Sequence, residues 1–157
     1  MKNKRHIQNL VLSAMFLAIA YVLPTITGGI QQIGNMLCPM HIPVLLCGFI
    51  CGPIWGGVVG FIAPLFRSLI VGQPMLYPIA VCMTVELAVY GIVAGLMYKL
   101  LPKKIPYIYF SLITAMIAGR VIWGCARYIC AGLGAGDFGL SAFWAGAVTN
   151  AIPGIII

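Results

Sequence analysis

The fold is decided by residues 77–101, which read YPIAVCMTVELAVYGIVAGLMYKLL. Only Glu86 and Lys99 carry a charge in this run. A helix that crosses the hydrocarbon core of a bilayer needs about 20 mostly apolar residues. The run satisfies both requirements, so we predict a membrane-spanning helix that carries one acidic side chain, Glu86, inside the membrane.

The composition of the whole chain supports the same interpretation. The 157 residues are 62% hydrophobic and 7% charged, and the mean hydropathy is +1.09. Soluble domains carry about 25% charged residues, so most of this surface must face an apolar medium. The length allows five or six spans and short loops without a separate soluble domain. We therefore expect one membrane-embedded domain over residues 1–157.

Apolar runs of the same kind recur on both sides of residues 77–101. Pro53 suits the first turn of a helix, and the sequence Gly72-Gln73-Pro74 indicates a turn. The last run ends at Ile157 without a closing charge, so we expect its helix to be truncated. The prediction is an all-α, polytopic bundle of six transmembrane helices, at residues 7–27, 40–52, 53–71, 77–101, up to about 131, and 141–157.

Basic residues predict the orientation of this bundle. Six of the nine lie in two clusters, Lys2, Lys4, Arg5 and Lys99, Lys103, Lys104. Clusters beside membrane spans mark cytoplasmic loops. We predict a cytoplasmic N-terminus, with the loops at 28–39, 72–76 and 132–140 facing outward. The net charge of +7 does not indicate nucleic-acid binding, because no basic helix face with interleaved aromatic residues is present.

Small residues recur at four-residue spacing in several of the predicted spans. This spacing lets membrane helices approach each other closely. We interpret the glycines as packing positions within the bundle, and Ala14 and Ala18 show the same spacing on the first span. The glycines are Gly48, Gly52, Gly56, Gly60, Gly91 and Gly95.

Polar side chains within the predicted spans form the candidate binding site. A charged residue at the centre of a membrane helix costs about 2.5–3.5 kcal/mol on insertion scales, so such residues usually pair or line a cavity. On the predicted topology these side chains concentrate in the outer half of the bundle. The candidate substrate-binding residues are Asn35, His41, Arg67, Glu86, Tyr90, Arg120, Trp123, Arg127 and Asn150.

Helical periodicity places several of these residues on shared faces. Arg120, Trp123 and Arg127 follow a spacing typical of one helix face, as do Glu86 and Tyr90. A rise of about 1.5 Å per residue puts Glu86 roughly 13 Å and Arg120 roughly 16 Å from the outer surface, so the two are expected to pair. The two faces would line a cavity, open to the outside, for a small polar or anionic molecule.

A structural alternative stays open for the same residues. Glu86 and Arg120 would then only neutralise each other. Arg67 and Arg127 would extend their side chains toward the outer headgroups, as long basic side chains near helix ends do. This alternative leaves the concentration of polar residues on one side unexplained.

The sequence predicts neither an enzyme nor a cofactor or metal site. It contains no G-x-S-x-G, no H-E-x-x-H and no P-loop, so this chain is not expected to hydrolyse ATP. The six cysteines are scattered, and we interpret them as small buried hydrophobic residues. A disulfide between Cys38 and Cys130, which the topology places on the same side, is left open by the sequence.

Three stretches of the chain resemble a known family. They are residues 35–49, NMLCPMHIPVLLCGF, followed by Gly52-Pro53 and Gly56; residues 86–91, ELAVYG, with Gly95-Leu96; and residues 149–156, TNAIPGII. Together they resemble the substrate-binding (S) components of energy-coupling factor (ECF) transporters. The resemblance covers nearly the whole chain.

The resemblance implies a function and partners. Members of this family are six-helix proteins of the prokaryotic plasma membrane that capture a vitamin or related micronutrient from outside. They associate with a membrane coupling subunit and two cytoplasmic ATPases, so ATP would be used only by the partners. Ala14 and Ala18 match the family's Ala-x-x-x-Ala docking motif and are the expected partner interface.

The identity of the substrate is a separate question. Three arginines in the outer half favour a carboxylate, because a guanidinium binds a carboxylate through two parallel hydrogen bonds. Pantothenate is our first candidate, folate and nicotinate fit the same argument, and a pyrimidine thiamine precursor would better explain Glu86 and Trp123. The alternative function is a stand-alone, proton-coupled small-molecule transporter with Glu86 as proton carrier, and a membrane-embedded scaffold ranks third.

Overall fold

The structure is a computed structural model and describes residues 2–27, 40–72, 75–102 and 104–132. Within these ranges the regular structure is entirely helical, which confirms the predicted all-α class for this part of the chain. The segment Leu76–Ala80, kinked at Tyr77 where φ is −122° and ψ is 133°, leads into the fourth helix. The five α-helices are α1 (Lys2–Thr27), α2 (His41–Cys51), α3 (Pro53–Val71), α4 (Val81–Leu100) and α5 (Ile105–Gly132).

Four of the described helical segments have the length that a membrane span requires. Four segments are long and apolar enough to cross a bilayer, and α2 is the shorter apolar helix that the sequence predicted. The predicted count of six helices is not established, because residues 141–157 lie outside the described part. The four segments are Lys4–Ile26, Pro53–Val71, Leu76–Leu100 and Ile105–Gly132.

The α2–α3 junction is a single residue, Gly52, whose φ of +97° lies in the left-handed region. Residues that carry a Cβ atom rarely adopt this backbone conformation, so glycine suits the junction between the two helices. The Gly52 N–H donates to the carbonyl oxygen of Gly48 at 3.1 Å, which closes α2. Pro53 then begins α3, as predicted, because the first turn of a helix needs no donor from that position.

Glycines bring α2, α3 and α4 into backbone contact. A Cβ atom added at Gly48 would lie 2.6 Å from the carbonyl oxygen of Gly91 on α4. One added at Gly95 would lie 2.6 Å from the backbone nitrogen of Pro53, and one at Gly91 would collide with the carbonyl group of Gly56. The predicted role in close helix packing is therefore confirmed for these glycines. It is wrong for Gly52, because nothing lies within 4 Å of a Cβ atom added there and its positive φ makes it a junction residue instead.

Helix α1 packs against this core with one face and exposes the other. Its Asn9 amide donates to the carbonyl oxygen of Cys51 at 3.3 Å, and Ser13 and Ala20 are buried. Ala14 and Ala18, in contrast, are exposed. The helix begins at Lys2 rather than at residue 7, because the polar N-terminal residues continue the helix beyond the apolar run.

Candidate functional site

The centre of the candidate site is the carboxylate of Glu86, whose side chain is only 2% exposed. One of its oxygens, Oε1, accepts a hydrogen bond from the Tyr90 hydroxyl at 3.0 Å. The same oxygen lies 3.4 Å from Nη1 of Arg120 and 3.7 Å from Nε2 of His41. A buried charge is costly unless it is paired and hydrogen-bonded. His41, Tyr90 and Arg120 supply the pairing and the hydrogen bond that the buried Glu86 charge needs. We call these three residues and Glu86 the Glu86 cluster.

Three helices contribute to the Glu86 cluster. Glu86 and Tyr90 lie one turn apart on α4, His41 is the first residue of α2, and Arg120 lies on α5. The imidazole of His41 packs edge-on against the Tyr90 ring with 5.1 Å between centroids. Tyr90 is fully buried, so its ring and hydroxyl fix the position of both His41 and Glu86.

Gly119 is a site residue that the sequence analysis missed. A Cβ atom at this position would lie 2.7 Å from Cε1 of Tyr90, so the ring occupies the space that a larger residue would fill. Ala115, one turn earlier, is also fully buried. This pair of small residues at four-residue spacing was a signal in the sequence that could have identified the α4–α5 contact.

The predicted α5 face continues from Arg120 toward the end of the helix. The guanidinium carbon of Arg120 lies 6.0 Å from the centroid of the Trp123 ring, at the outer limit of a cation–π contact. Gly124 is buried, while Trp123 and Arg127 are partly buried. The 3.4 Å contact between Arg120 and Glu86 confirms their predicted pairing. Arg127 follows two turns later on the same helix.

Arg67 contacts the end of α1 in the described residues, a neighbour that its predicted depth did not specify. Its Nη1 donates to the carbonyl oxygen of Tyr21 at 3.3 Å and to Oγ1 of Thr25 at 3.2 Å. In the described residues these bonds tie α3 to the end of α1 rather than to the Glu86 cluster. Asn35 and Asn150, also predicted as site residues, lie outside the described ranges.

The seam between α4 and α5 continues past the cluster to a pair of cysteines. The Sγ atoms of Cys82 and Cys130 are 3.6 Å apart. The hydroxyl of Tyr77 donates to the carbonyl oxygen of Cys130 at 3.4 Å. Cys38, the partner that the sequence left open for Cys130, lies outside the described residues.

The chemistry that the cluster offers is polar recognition. Guanidinium, phenol, imidazole and carboxylate groups meet in the Glu86 cluster, and each can form directional hydrogen bonds to a small molecule. Among residues 2–27, 40–72, 75–102 and 104–132, no group of three or more His, Cys, Asp or Glu side chains is placed to hold a metal ion.

Comparison with known families gives one match. The family model described as "ECF transporter, substrate-specific component" matches residues 8–157, which is nearly the whole chain. A search of curated proteins and a search of solved structures found no match.

Proposed function

This chain belongs to the substrate-specific components of ECF transporters, and we propose that it captures a vitamin or related micronutrient from outside the cell for import. The observation that carries the proposal is the Glu86 cluster, a buried polar site on three helices of an otherwise apolar bundle. Ionisable groups at membrane depth are expensive and usually mark a substrate path or binding site.

A carboxylate is the substrate group that we propose, with pantothenate as the first candidate. Arg120 and Arg127 lie seven residues apart on α5, which is two helical turns and therefore one face. Glu86 on the facing helix already contacts Arg120, so it orients that guanidinium. Since charge-assisted, bidentate bonds to arginine are among the strongest that a carboxylate can form, this face suits an anionic ligand.

We further propose that import requires an ECF coupling subunit and two cytoplasmic ATPases. The family membership supports these partners, and the absence of a P-loop from the sequence fits the use of ATP by the partners alone. The exposed Ala14 and Ala18 provide small side chains on α1 where another helix could approach closely. The proposed location is the plasma membrane of a prokaryote, with the N-terminus in the cytoplasm.

The buried Glu86 also motivates a second candidate, a stand-alone proton-coupled transporter. A carboxylate in a membrane helix is a common proton carrier. The contacts of Glu86 argue against this role, because protonation would weaken its contact with Arg120 and its hydrogen bond from Tyr90. The two candidates differ in whether transport needs the ATPases.

Three measurements test the proposal. Small molecules released from the purified protein are identified by mass spectrometry, and the binding of pantothenate, folate and nicotinate is measured by calorimetry. Uptake is then measured in vesicles with and without the coupling subunit and ATPases. We expect a bound carboxylate and uptake that requires the added subunits. Proton-driven uptake by this chain alone would overturn the proposal in favour of the second candidate.

A further inference from the structure

Cys82 on α4 and Cys130 on α5 form a buried pair of thiols at one end of the helix seam. Their Sγ atoms are 3.6 Å apart, and the residues are 1% and 8% exposed. A disulfide has a sulfur–sulfur distance of about 2.05 Å, so the two atoms need to approach by about 1.5 Å. Small side-chain rotations supply a movement of this size.

The other described cysteines have different surroundings. The Cys47 thiol lies 3.7 Å from the Ser13 hydroxyl on α1 and interacts with buried Cys51, one turn later on the same helix. Cys125 is exposed on α5. Cys130 lies in the last turn of α5, which ends at Gly132. Among these thiols, the pair of Cys82 and Cys130 therefore combines sulfur contact between two helices with a position near a helix end.

We propose that Cys82 and Cys130 are a disulfide-forming site that joins α4 to α5 next to the Glu86 cluster, with a low-molecular-weight disulfide as the oxidant. Cys82 precedes Glu86 by one turn, and Cys130 follows Arg127 by three residues. A covalent bond here links the two helices that carry Glu86 and the α5 arginines. The proposal does not depend on which substrate the protein captures.

The reaction is a pair of thiol–disulfide exchanges. The Cys130 thiol, the more exposed of the two, loses its proton and attacks one sulfur of the oxidant. A mixed disulfide forms, and one thiolate leaves. The Cys82 sulfur, after losing its proton, attacks the Cys130 sulfur and releases the second thiolate. The two protein thiols lose two electrons and two protons, and the oxidant is reduced to two small thiols.

The test treats the purified full-length chain in detergent with oxidised glutathione, then alkylates the remaining thiols and maps the peptides without reduction. We expect the loss of two alkylatable thiols and a peptide that links Cys82 to Cys130. Cross-linking a loop of this length stabilises the folded state, so the melting temperature should rise by about 4 °C or more. Dithiothreitol should reverse both changes.

The matched variants are Cys82→Ser, Cys130→Ser and Cys125→Ser. The first two should abolish the linked peptide and the rise in melting temperature, and Cys125→Ser should leave both intact. Glutathione attached to Cys125, with Cys82 and Cys130 still alkylatable, would overturn the proposal, as would linkage of either cysteine to a different one. The peptide map of the unsubstituted chain decides the question even where a serine variant fails to fold.

Discussion

Arg120 reaches across from α5 to Glu86 on α4, with Nη1 3.4 Å from the carboxylate oxygen. Both residues lie in segments long and apolar enough to cross a membrane. The contact therefore joins two spanning helices through opposite charges in a region of low dielectric constant. Removing either partner takes this contact away from the other charge.

The first prediction concerns the carboxylate. Glu86→Gln removes the negative charge that faces Arg120, and breaking a buried pair typically costs about 3–5 kcal/mol. We expect lower expression, a lower melting temperature and weaker ligand binding. Lys99→Gln is the matched control, because Lys99 is an exposed charge on the same helix. A Glu86→Gln protein as stable as the unsubstituted chain would show that the pair contributes little.

The second prediction concerns the arginines. Arg127→Ala should weaken binding of the co-purified ligand by about 1.5–3 kcal/mol, the size of one hydrogen bond to a charged group, which is roughly a 10- to 150-fold change in Kd. Arg67→Ala should leave Kd unchanged, because the described bonds of Arg67 go to α1. Calorimetry on the purified variants gives the values.

Arg120→Ala completes this comparison. If Kd stays the same in both Arg120→Ala and Arg127→Ala, the α5 face is not part of the binding site. The alternative interpretation, in which Glu86 and Arg120 only neutralise each other and Arg127 extends toward the headgroups, would then be preferred.

The third prediction tests the contact between Gly119 and Tyr90. Gly119→Ala places a methyl group 2.7 Å from the Tyr90 ring and displaces the hydroxyl that donates to Glu86. Overpacking of this kind costs about 1–3 kcal/mol, and binding should weaken together with stability. Gly132→Ala is the control, because nothing lies within 4 Å of a Cβ there. Equal melting temperatures for both variants would contradict the contact.

The fourth prediction separates coupling from binding. Replacing Ala14 or Ala18 with leucine should abolish uptake in cells that contain the coupling subunit and ATPases, because both alanines are exposed and a bulky side chain blocks close helix approach. Ligand binding by the isolated protein should persist. Ala20→Leu is the contrasting variant, since Ala20 is fully buried and its replacement should impair folding. Loss of binding in the Ala14 and Ala18 variants would place these alanines in internal packing.

The fifth prediction concerns orientation in the membrane. Met75→Cys and Lys104→Cys place thiols at opposite ends of the Leu76–Leu100 span, and both positions are exposed. On the predicted topology an impermeant maleimide added to intact cells should label the first variant above the background of the native cysteines and not the second. Labelling of Lys104→Cys alone would reverse the topology, and equal labelling of both would refute it.

Local signals account for the parts of the fold that the sequence predicted well. Helix α3 begins and ends where expected, because Pro53 favours a first turn and Gly72 adopts the left-handed conformation that ends a helix. The pairing of Glu86 with Arg120 followed from their similar depths. Depth gives only the position along the membrane normal. The prediction held because α4 and α5, which carry Glu86 and Arg120, are neighbouring helices.

Depth alone did not predict the contacts of Arg67, because it does not specify which helix lies alongside. Its partners Tyr21 and Thr25 are 46 and 42 residues away in sequence, and no local pattern joins them. The role of Gly119 was missed for a related reason. The spacing of Ala115 and Gly119 indicates a close helix contact, but it does not specify that the Tyr90 ring of α4 fills the space at Gly119.

The backbone contacts among Gly48, Gly91 and Gly95 have a mechanical consequence. Where helices touch through side chains, rotamer changes let them slide or tilt, but main-chain atoms in direct contact have no such freedom. Helices α2, α3 and α4 should therefore behave as a stiff frame. Among the described helices, a change of shape during a transport cycle should then be concentrated at the contacts that this frame makes with α1 and α5.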